Sequence, residues 1–284
     1  MPSLKAPILF SSTQQAILFV SGLFFGLLLN LPLQAQSQNN TPVRPQTQPV
    51  FDQKIEILAL NEDGDFISKS GQILRPAELN LPRRGDCERL SQVCPVVEKI
   101  HDYYTQNLVG RTVLIDKSTA FRDRYNRLHA HLQVPGGAWI QYLFLQQGLA
   151  RVETFTTSPL TTPYLLGIEA VARDQRKGLW SLKAYEPLST DILKNKMDRF
   201  QIIEGTIHKT AEVKGVIYLN FGDNWREDFT IKLTKDMRRN FKDKGQSLLD
   251  LKDRSIRIRG WLFWENGPMI SLYHPEQLEI LPPN

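Results

Sequence analysis

Cysteine is nearly absent, with Cys87 and Cys94 the only two in 284 residues. Two thiols cannot complete a four- or three-cysteine zinc cluster, and the five histidines show neither finger spacing nor an H-E-x-x-H pair, so zinc chemistry is not expected. Long apolar runs are scarce too, with a single one near the N-terminus. Charge of one sign is also missing. The formal surplus is only +5, residues 51–198 carry 19 basic and 18 acidic side chains, and residues 199–284 carry 14 and 12. Such a balance permits polyanion binding without demanding it. What is present, 41% hydrophobic and 23% charged residues with 17 Gly and 17 Pro, is the profile of an ordinary folded protein of one or two domains. A disordered, collagen-like or coiled-coil chain is excluded.

The one apolar run extends from Ala16 to Leu33, preceded by Lys5 and followed by Leu33-Gln34-Ala35 and the polar Gln36-Ser37-Gln38. A charged, then apolar, then small-residue order is that of a secretory signal ending at Ala35. The alternative is a retained N-terminal membrane anchor, which Gly22, Gly26, Asn30 and Pro32 weaken as a span. Residues 1–35 are therefore read as a signal peptide and residues 36–52, rich in Gln, Asn, Thr and Pro, as a flexible linker. The mature protein is expected to be exported, periplasmic or secreted, of bacterial type, with no stable membrane span after cleavage. An oxidising compartment favours a Cys87–Cys94 disulfide. Seven residues of one regular helix would hold the two Cα atoms roughly 10 Å apart, beyond disulfide reach, so the bond requires an irregular loop. Pro95 fits the first turn of a helix whose stripe is Val97, Ile100, Tyr104 and Leu108, closed by Gly110. That puts Cys94 at the helix entrance and Cys87 in the loop before it. Two separate buried thiols are the other reading.

Extended runs are expected at Lys54 to Leu60, Asp65 to Lys69, Gln72 to Leu79, Arg111 to Asp116 and Arg127 to Val134, with Ser70-Gly71 as a hairpin turn. Helices are expected from Ala138 to Gln147 and from Thr162-Pro163 to Gly178. Five short strands with a helix between the third and fourth describe an oligonucleotide/oligosaccharide-binding (OB) barrel with added helices over residues 53–182. Residues 183–200 read as a linker. Over residues 201–284 a second strand set follows, at Gln201 to His208, Val216 to Asn220, Asp228 to Leu233, Arg254 to Trp264 and Met269 to Tyr273, with a charged helix-forming stretch from Lys235 to Lys252. The fold class is thus α+β, mainly β: an OB barrel with helices followed by a second, smaller OB-like β-barrel.

Six motifs stand in order on these elements: Asp63-Gly64-Asp65, Arg75 opening a run to Pro82, Asp123-Arg124-Tyr125-Asn126-Arg127, Gly148-Leu149-Ala150-Arg151-Val152, Glu169-Ala170-Val171-Ala172-Arg173 and Gly178-Leu179-Trp180. In these motifs residues 53–182 resemble the thermonuclease-like (micrococcal nuclease) family of calcium-dependent phosphodiesterases. The resemblance implies Asp65 as the first metal carboxylate and Arg75 and Arg127 as the two arginines on the phosphate. The second metal carboxylate falls on Asn80 and the general base on Arg83. Asn80 removes a negative charge from a site whose affinity depends on ligand charge. A guanidinium stays protonated throughout the accessible pH range and cannot accept a proton from water. No cofactor is expected, and calcium only if a relocated site survives, with Glu78, on the same strand face as Asn80, read as a surface glutamate on an edge or as the alternative metal carboxylate. His129 and His131, on the face of Arg127, are the alternative metal ligands or bases, with a bystander role as the other reading.

What remains is cationic. Arg75, Arg83, Arg84, Arg127 and Arg124 are expected to line one mouth of the first barrel and contact phosphate without cleaving it, with solvated surface charges balanced by Glu78, Asp86 and Asp123 as the equal alternative. On the strand from Arg254 to Trp264, alternation places Ile256, Ile258, Gly260 and Leu262 in the core and Arg257, Arg259, Trp261 and Phe263 on the other face. Basic and aromatic residues alternating on a barrel strand suit single-stranded nucleic acid; packing against a helix or the first domain is the other reading. Lys235, Arg238, Arg239, Lys242 and Lys244 would form one basic helix face. The expected function is binding of nucleic acid or another polyanion with little or no hydrolysis. The alternatives are an active calcium-dependent nuclease with a relocated site and a protein-interaction or envelope module with a protein partner.

Overall fold

The computed structural model describes residues 49–154, 161–224, 226–238, 241 and 247–282, all within one compact unit, Asn40–Asn284. The expected signal peptide and residues 36–48 of the expected linker lie outside the described residues. Among the described residues no helix is long and apolar enough to cross a membrane. The architecture combines mixed sheets with helices.

The first half begins with an antiparallel meander of β1 (Gln53–Leu60), β2 (Phe66–Ser68) and β3 (Ile73–Pro76). Gly71 takes a positive φ of 80° in the tight turn between β2 and β3, a conformation costly for residues with a Cβ. Then come β4 (Leu79–Asn80), α1 (Arg84–Arg89), α2 (Cys94–Asn107), β5 (Thr112–Ile115), β6 (Phe121–Arg122), β7 (Leu128–Ala130), β8 (Leu132–Gln133), α3 (Ile140–Gln146), β9 (Arg151–Val152) and α4 (Thr162–Asp174). The sheet order is β6-β7-β3-β2-β1-β5-β8. Opposite sides of this path are adjacent in sequence, because only His131 separates β7, second from one end and parallel to β3, from β8, last at the other end and antiparallel to β5. The stripe expected on α2 is buried as Val97, Ile100 and Tyr104. The Tyr104 ring packs between Phe66, at a centroid distance of 4.5 Å, and Phe144, at 5.2 Å, where aromatic contacts add to area burial.

The second half comprises β10 (Leu188–Ser189), β11 (Arg199–Thr206), β12 (Lys209–Val213), β13 (Val216–Asn220), β14 (Thr230–Leu233), β15 (Ser255–Trp264), β16 (Pro268–Ser271) and β17 (Leu278–Ile280). The order is β10-β11-β15-β16-β14-β13-β12, with β17 also on β15. Again one interrupted strand reaches both ends of the path: only Ile207 and His208 separate β11, paired with β15, from β12, paired with β13. β10 falls inside the stretch expected as a linker and pairs parallel to β11. The charged stretch expected as a helix carries short 3-10 turns at Asp236–Arg238 and Leu248–Leu251. Arg239, Lys242 and Lys244 of its basic face lie outside the described residues.

The halves share a buried interface. Ala172 and Trp180 of the first form one apolar cluster with Phe200 and Ile202 of β11. Beside it Arg259 of β15, 1% exposed, reaches across to the first half. Its Nη1 donates to Glu169 Oε2 at 3.0 Å and to the Val152 carbonyl at 3.1 Å, and its Nη2 to Glu169 Oε1 at 3.0 Å and Glu279 Oε1 at 2.7 Å. Removing one partner of such a pair strands the other charge in a low dielectric. Arg259→Ala is therefore expected to lower the unfolding free energy by about 3–5 kcal/mol, measured by urea denaturation. A loss under about 1 kcal/mol, the value of a surface ion pair, would refute a buried tie between the halves.

Candidate nucleic-acid interface

A cleft of about 1080 Å³ lies between the mouth of the first half and the β15–β16 region of the second. Its floor starts at Asp65, which follows the turn at Gly64 (φ 79°) and is fixed by its own N–H donating to Asn61 Oδ1 at 2.8 Å. The parallel pairing of β3 with β7 sets Arg75 opposite His129, which carries Arg127, two residues earlier, to the same mouth. Arg75 Nε donates to Asp65 Oδ1 at 2.7 Å. Arg83 donates to that same oxygen from Nη1 and Nη2, both at 3.3 Å, and from Nη1 to the Asp63 carbonyl at 2.8 Å. Burial, and then the Arg83 guanidinium, lower the Arg75 pKa, with Arg127 adding to the same effect. Three guanidinium groups therefore act on one another here.

Arg127 is held by a carboxylate of its own. Asp123 Oδ2 accepts from Arg127 Nε at 2.6 Å and lies 3.0 Å from His129 Nε2, while its Oδ1 accepts from the backbone N–H groups of Tyr125 and Arg127. Although burial opposes ionisation, the hydrogen bonds from His129 and Arg127 hold the Asp123 carboxyl far below the usual carboxylate range. Burial lowers the His129 pKa against the pull of Asp123, with Arg75 and Arg127 acting in the same direction as burial. Arg124 and Arg127 both lie over the Tyr125 ring, at 4.8 and 4.7 Å from its centroid, within cation–π range.

The donors do not fit calcium. Asp65 already bears two guanidinium groups on one oxygen, and a divalent ion brought to it would meet both as like charges. Asn80, the second position implied by the resemblance, is committed elsewhere: its Oδ1 accepts from Arg151 Nη2 at 2.7 Å and its Nδ2 donates to Glu153 at 3.4 Å. Glu78, the alternative carboxylate, does not share a strand face with Asn80. The chain turns at Glu78, φ 58°, and the side chain, 2% exposed, accepts hydrogen bonds from Thr161 and Thr162 with His131 Nε2 at 3.2 Å. Its expected surface position is corrected with that, as is the polar-face position of His131, which is buried. Among the described residues no group of three His, Cys, Asp or Glu is arranged to hold a metal ion.

Glu153, which no sequence signal singled out, also lines the cleft. β9 pairs with β4 and sets Arg151 opposite Asn80, bringing Glu153 beside both. Burial pushes its carboxyl up to about 7 against the hydrogen bond from Asn80 and the attraction of Arg151, Arg75 and Arg83. Arg84 and Arg124, both exposed, also line the cleft, and among the described residues no ion pair involves either.

From the second half, Trp261 and Phe263 line the cleft, joined by Tyr273 and His274. The expected roles of Arg257 and Arg259 are corrected. Arg259 is the buried tie between the halves, and Arg257 is paired with Glu204 at 2.6 Å and Glu279 at 3.2 Å, away from the cleft. Alternation identified their strand face, but part of that face is covered by the first half. Cys87 and Cys94 both carry free thiols in this structure. Cys94 opens α2 as expected, and Cys87 sits on α1 rather than in a loop. The thiols are nonetheless neighbours, since burial and then a hydrogen bond with Cys94 push the Cys87 thiol up to about 11.

No curated protein matches the chain significantly. Residues 74–182 match the family model described as staphylococcal nuclease homologue; Asp65 and its Asp-Gly turn precede the matched stretch. Arg75, Arg83, Arg127 and Glu169 fall within it, and residues 74–182 are a thermonuclease-like segment.

Proposed function

We propose that this protein is an exported binder of nucleic acid, single strands above all, whose thermonuclease-like segment holds phosphodiesters without efficient hydrolysis. The observation that carries this reading is the Arg83 guanidinium resting on the Asp65 carboxylate. It stands where the resemblance puts a general base, cannot accept a proton, and adds positive charge where a cation would otherwise sit. General-base catalysis typically contributes about 10²–10⁴-fold, so a phosphate on this floor is bound without being attacked. Arg75, Arg127, Arg84 and Arg124 supply the phosphate contacts. Both strand sets are read as OB-like, and folds of that type bind oligonucleotides at one mouth. Residues 1–35 supply the export signal, with an N-terminal membrane anchor as the alternative. In the exported protein the neighbouring thiols of Cys87 and Cys94 are expected to join.

Three measurements test the reading. The full chain is expected to be retained on single-stranded DNA and released by salt, log K falling linearly with log[salt] as counterions are displaced, while DNA incubated with it is lost neither with calcium nor with chelator. Rapid calcium-dependent cleavage would overturn the assignment of Arg83. Binding is also expected to strengthen as pH falls from about 8 to about 6. Glu153, titrating at about 7, loses its negative charge over that interval and leaves Arg75, Arg83 and Arg151 less compensated. Glu153→Gln should flatten the profile, and an unchanged profile would remove Glu153 from the site. Finally, unreduced mass spectrometry of exported protein should find Cys87 and Cys94 linked, two free thiols being the contrary result.

A further inference from the structure

The geometry points to a second recognition surface in the cleft: a base-stacking wall of Trp261, Phe263 and Tyr273 on the second half, facing the phosphate-binding arginines of the first and selecting unpaired nucleic acid. This inference rests on the reading above and adds to it a surface outside the thermonuclease-like segment, since all three rings lie outside residues 74–182.

The rings are placed where a core would not leave them. Leu262, between Trp261 and Phe263 on β15, is fully buried, whereas Trp261 is 57% exposed and Tyr273 is 50% exposed. Both large rings open into the cleft that Arg84, Arg124 and Arg127 also line. On the arginine side Tyr125, 61% exposed, offers another ring, braced by its contacts with Arg124 and Arg127. Aromatic faces beside arginines match the two chemistries of an unpaired nucleotide, a π-face and a phosphate. A duplex keeps its bases stacked on one another and has none to offer such a wall.

Charge presents cationic edges to the cleft without a net surplus. Six arginines on the lining stand against six carboxylates, but Arg75 and Arg83 share the one carboxylate of Asp65, and among the described residues no ion pair involves exposed Arg84 or Arg124, so an anion has guanidinium groups to meet. The wall is also held in place. Arg259, two residues before Trp261 on β15, is locked onto Glu169 of α4, so the ring sits at a fixed height above the arginine floor. Arg259 is a positioning residue here, not a contact.

The test uses the full chain and fluorescence anisotropy with labelled oligodeoxythymidylate, with its duplex, and with inorganic polyphosphate as a base-free polyanion in competition. The wild type is expected to favour the single strand over the duplex. Trp261→Ala should weaken the single strand about tenfold while leaving polyphosphate binding and the melting temperature unchanged, and Trp261→Phe should recover most of the loss. Single-strand affinity unaltered by Trp261→Ala, or an equal loss for polyphosphate, overturns the wall. Polyphosphate binding with no preference for single strands also overturns the wall while leaving the arginine floor intact. Failure of the wild type to bind any of the three probes overturns the proposed function itself.

Discussion

The carboxylate of Glu169 receives donors from three directions: the backbone N–H of Val152 on β9, the Arg173 guanidinium one helical turn along α4, and both terminal nitrogens of Arg259 from β15. A buried carboxylate is costly unless its lone pairs are met, and here a strand, a helix and the second half each supply part of what it needs. None of the three can move off without leaving charge unpaired in the interior. β9 carries Arg151 and leads to Glu153, α4 packs against the α3 layer, and β15 carries the aromatic wall, so the cleft inherits its dimensions from this one group. Glu279 completes the arrangement: Arg259, then Arg257 and Arg173, hold its carboxyl below the ordinary range against the effect of burial.

A comparable sharing of one carboxylate governs the chemistry at the floor. Asp65 receives Arg75 and Arg83 on the same oxygen, and each guanidinium is stabilised by the carboxylate and destabilised by the other. At Arg75 burial and the Arg83 charge act against the hydrogen bond and the attraction of Asp65, so the like charges are held together at an electrostatic cost. An incoming phosphate enters the same balance as a second anion and relieves it. An incoming divalent cation aggravates it.

Much of this was legible in the sequence where the signal was local or periodic. The strands announced themselves by alternation, α2 by its apolar stripe behind Pro95, and the Arg75–Arg127 pair by motifs that parallel pairing of β3 and β7 brings together. Where the outcome depended on what covers a face, the residues were silent. Alternation put Arg259 and Trp261 on one side of β15, yet nothing in the strand tells that α4 covers the first and leaves the second open. Glu78 looked like a strand residue because a left-handed backbone at a glutamate has no sequence signature. Glu153 gains its place from pairing between β4 and β9, partners about seventy residues apart, as the contact between Asn80 and Glu153 records.

Binding and catalysis make different demands on the same arginines, and the proposed function assigns the floor to the first. Asp123 fixes the Arg127 side chain through Nε and thereby leaves the outer edge of the guanidinium presented without further ordering, which favours any phosphate whatever its stage of reaction. Interactions that serve ground state and transition state alike tighten binding but do not accelerate the chemical step. Acceleration would need a group that responds as charge develops, such as a base taking a proton or a metal polarising oxygen. At the position that resemblance assigns to the base there is instead another fixed cation, satisfied by Asp65 and the Asp63 carbonyl before any ligand arrives. On the proposed reading, preorganised guanidinium groups on one wall and rings on the other favour retention of a strand over its turnover, and the second half, by fixing the rings, adds affinity without adding a reactive group.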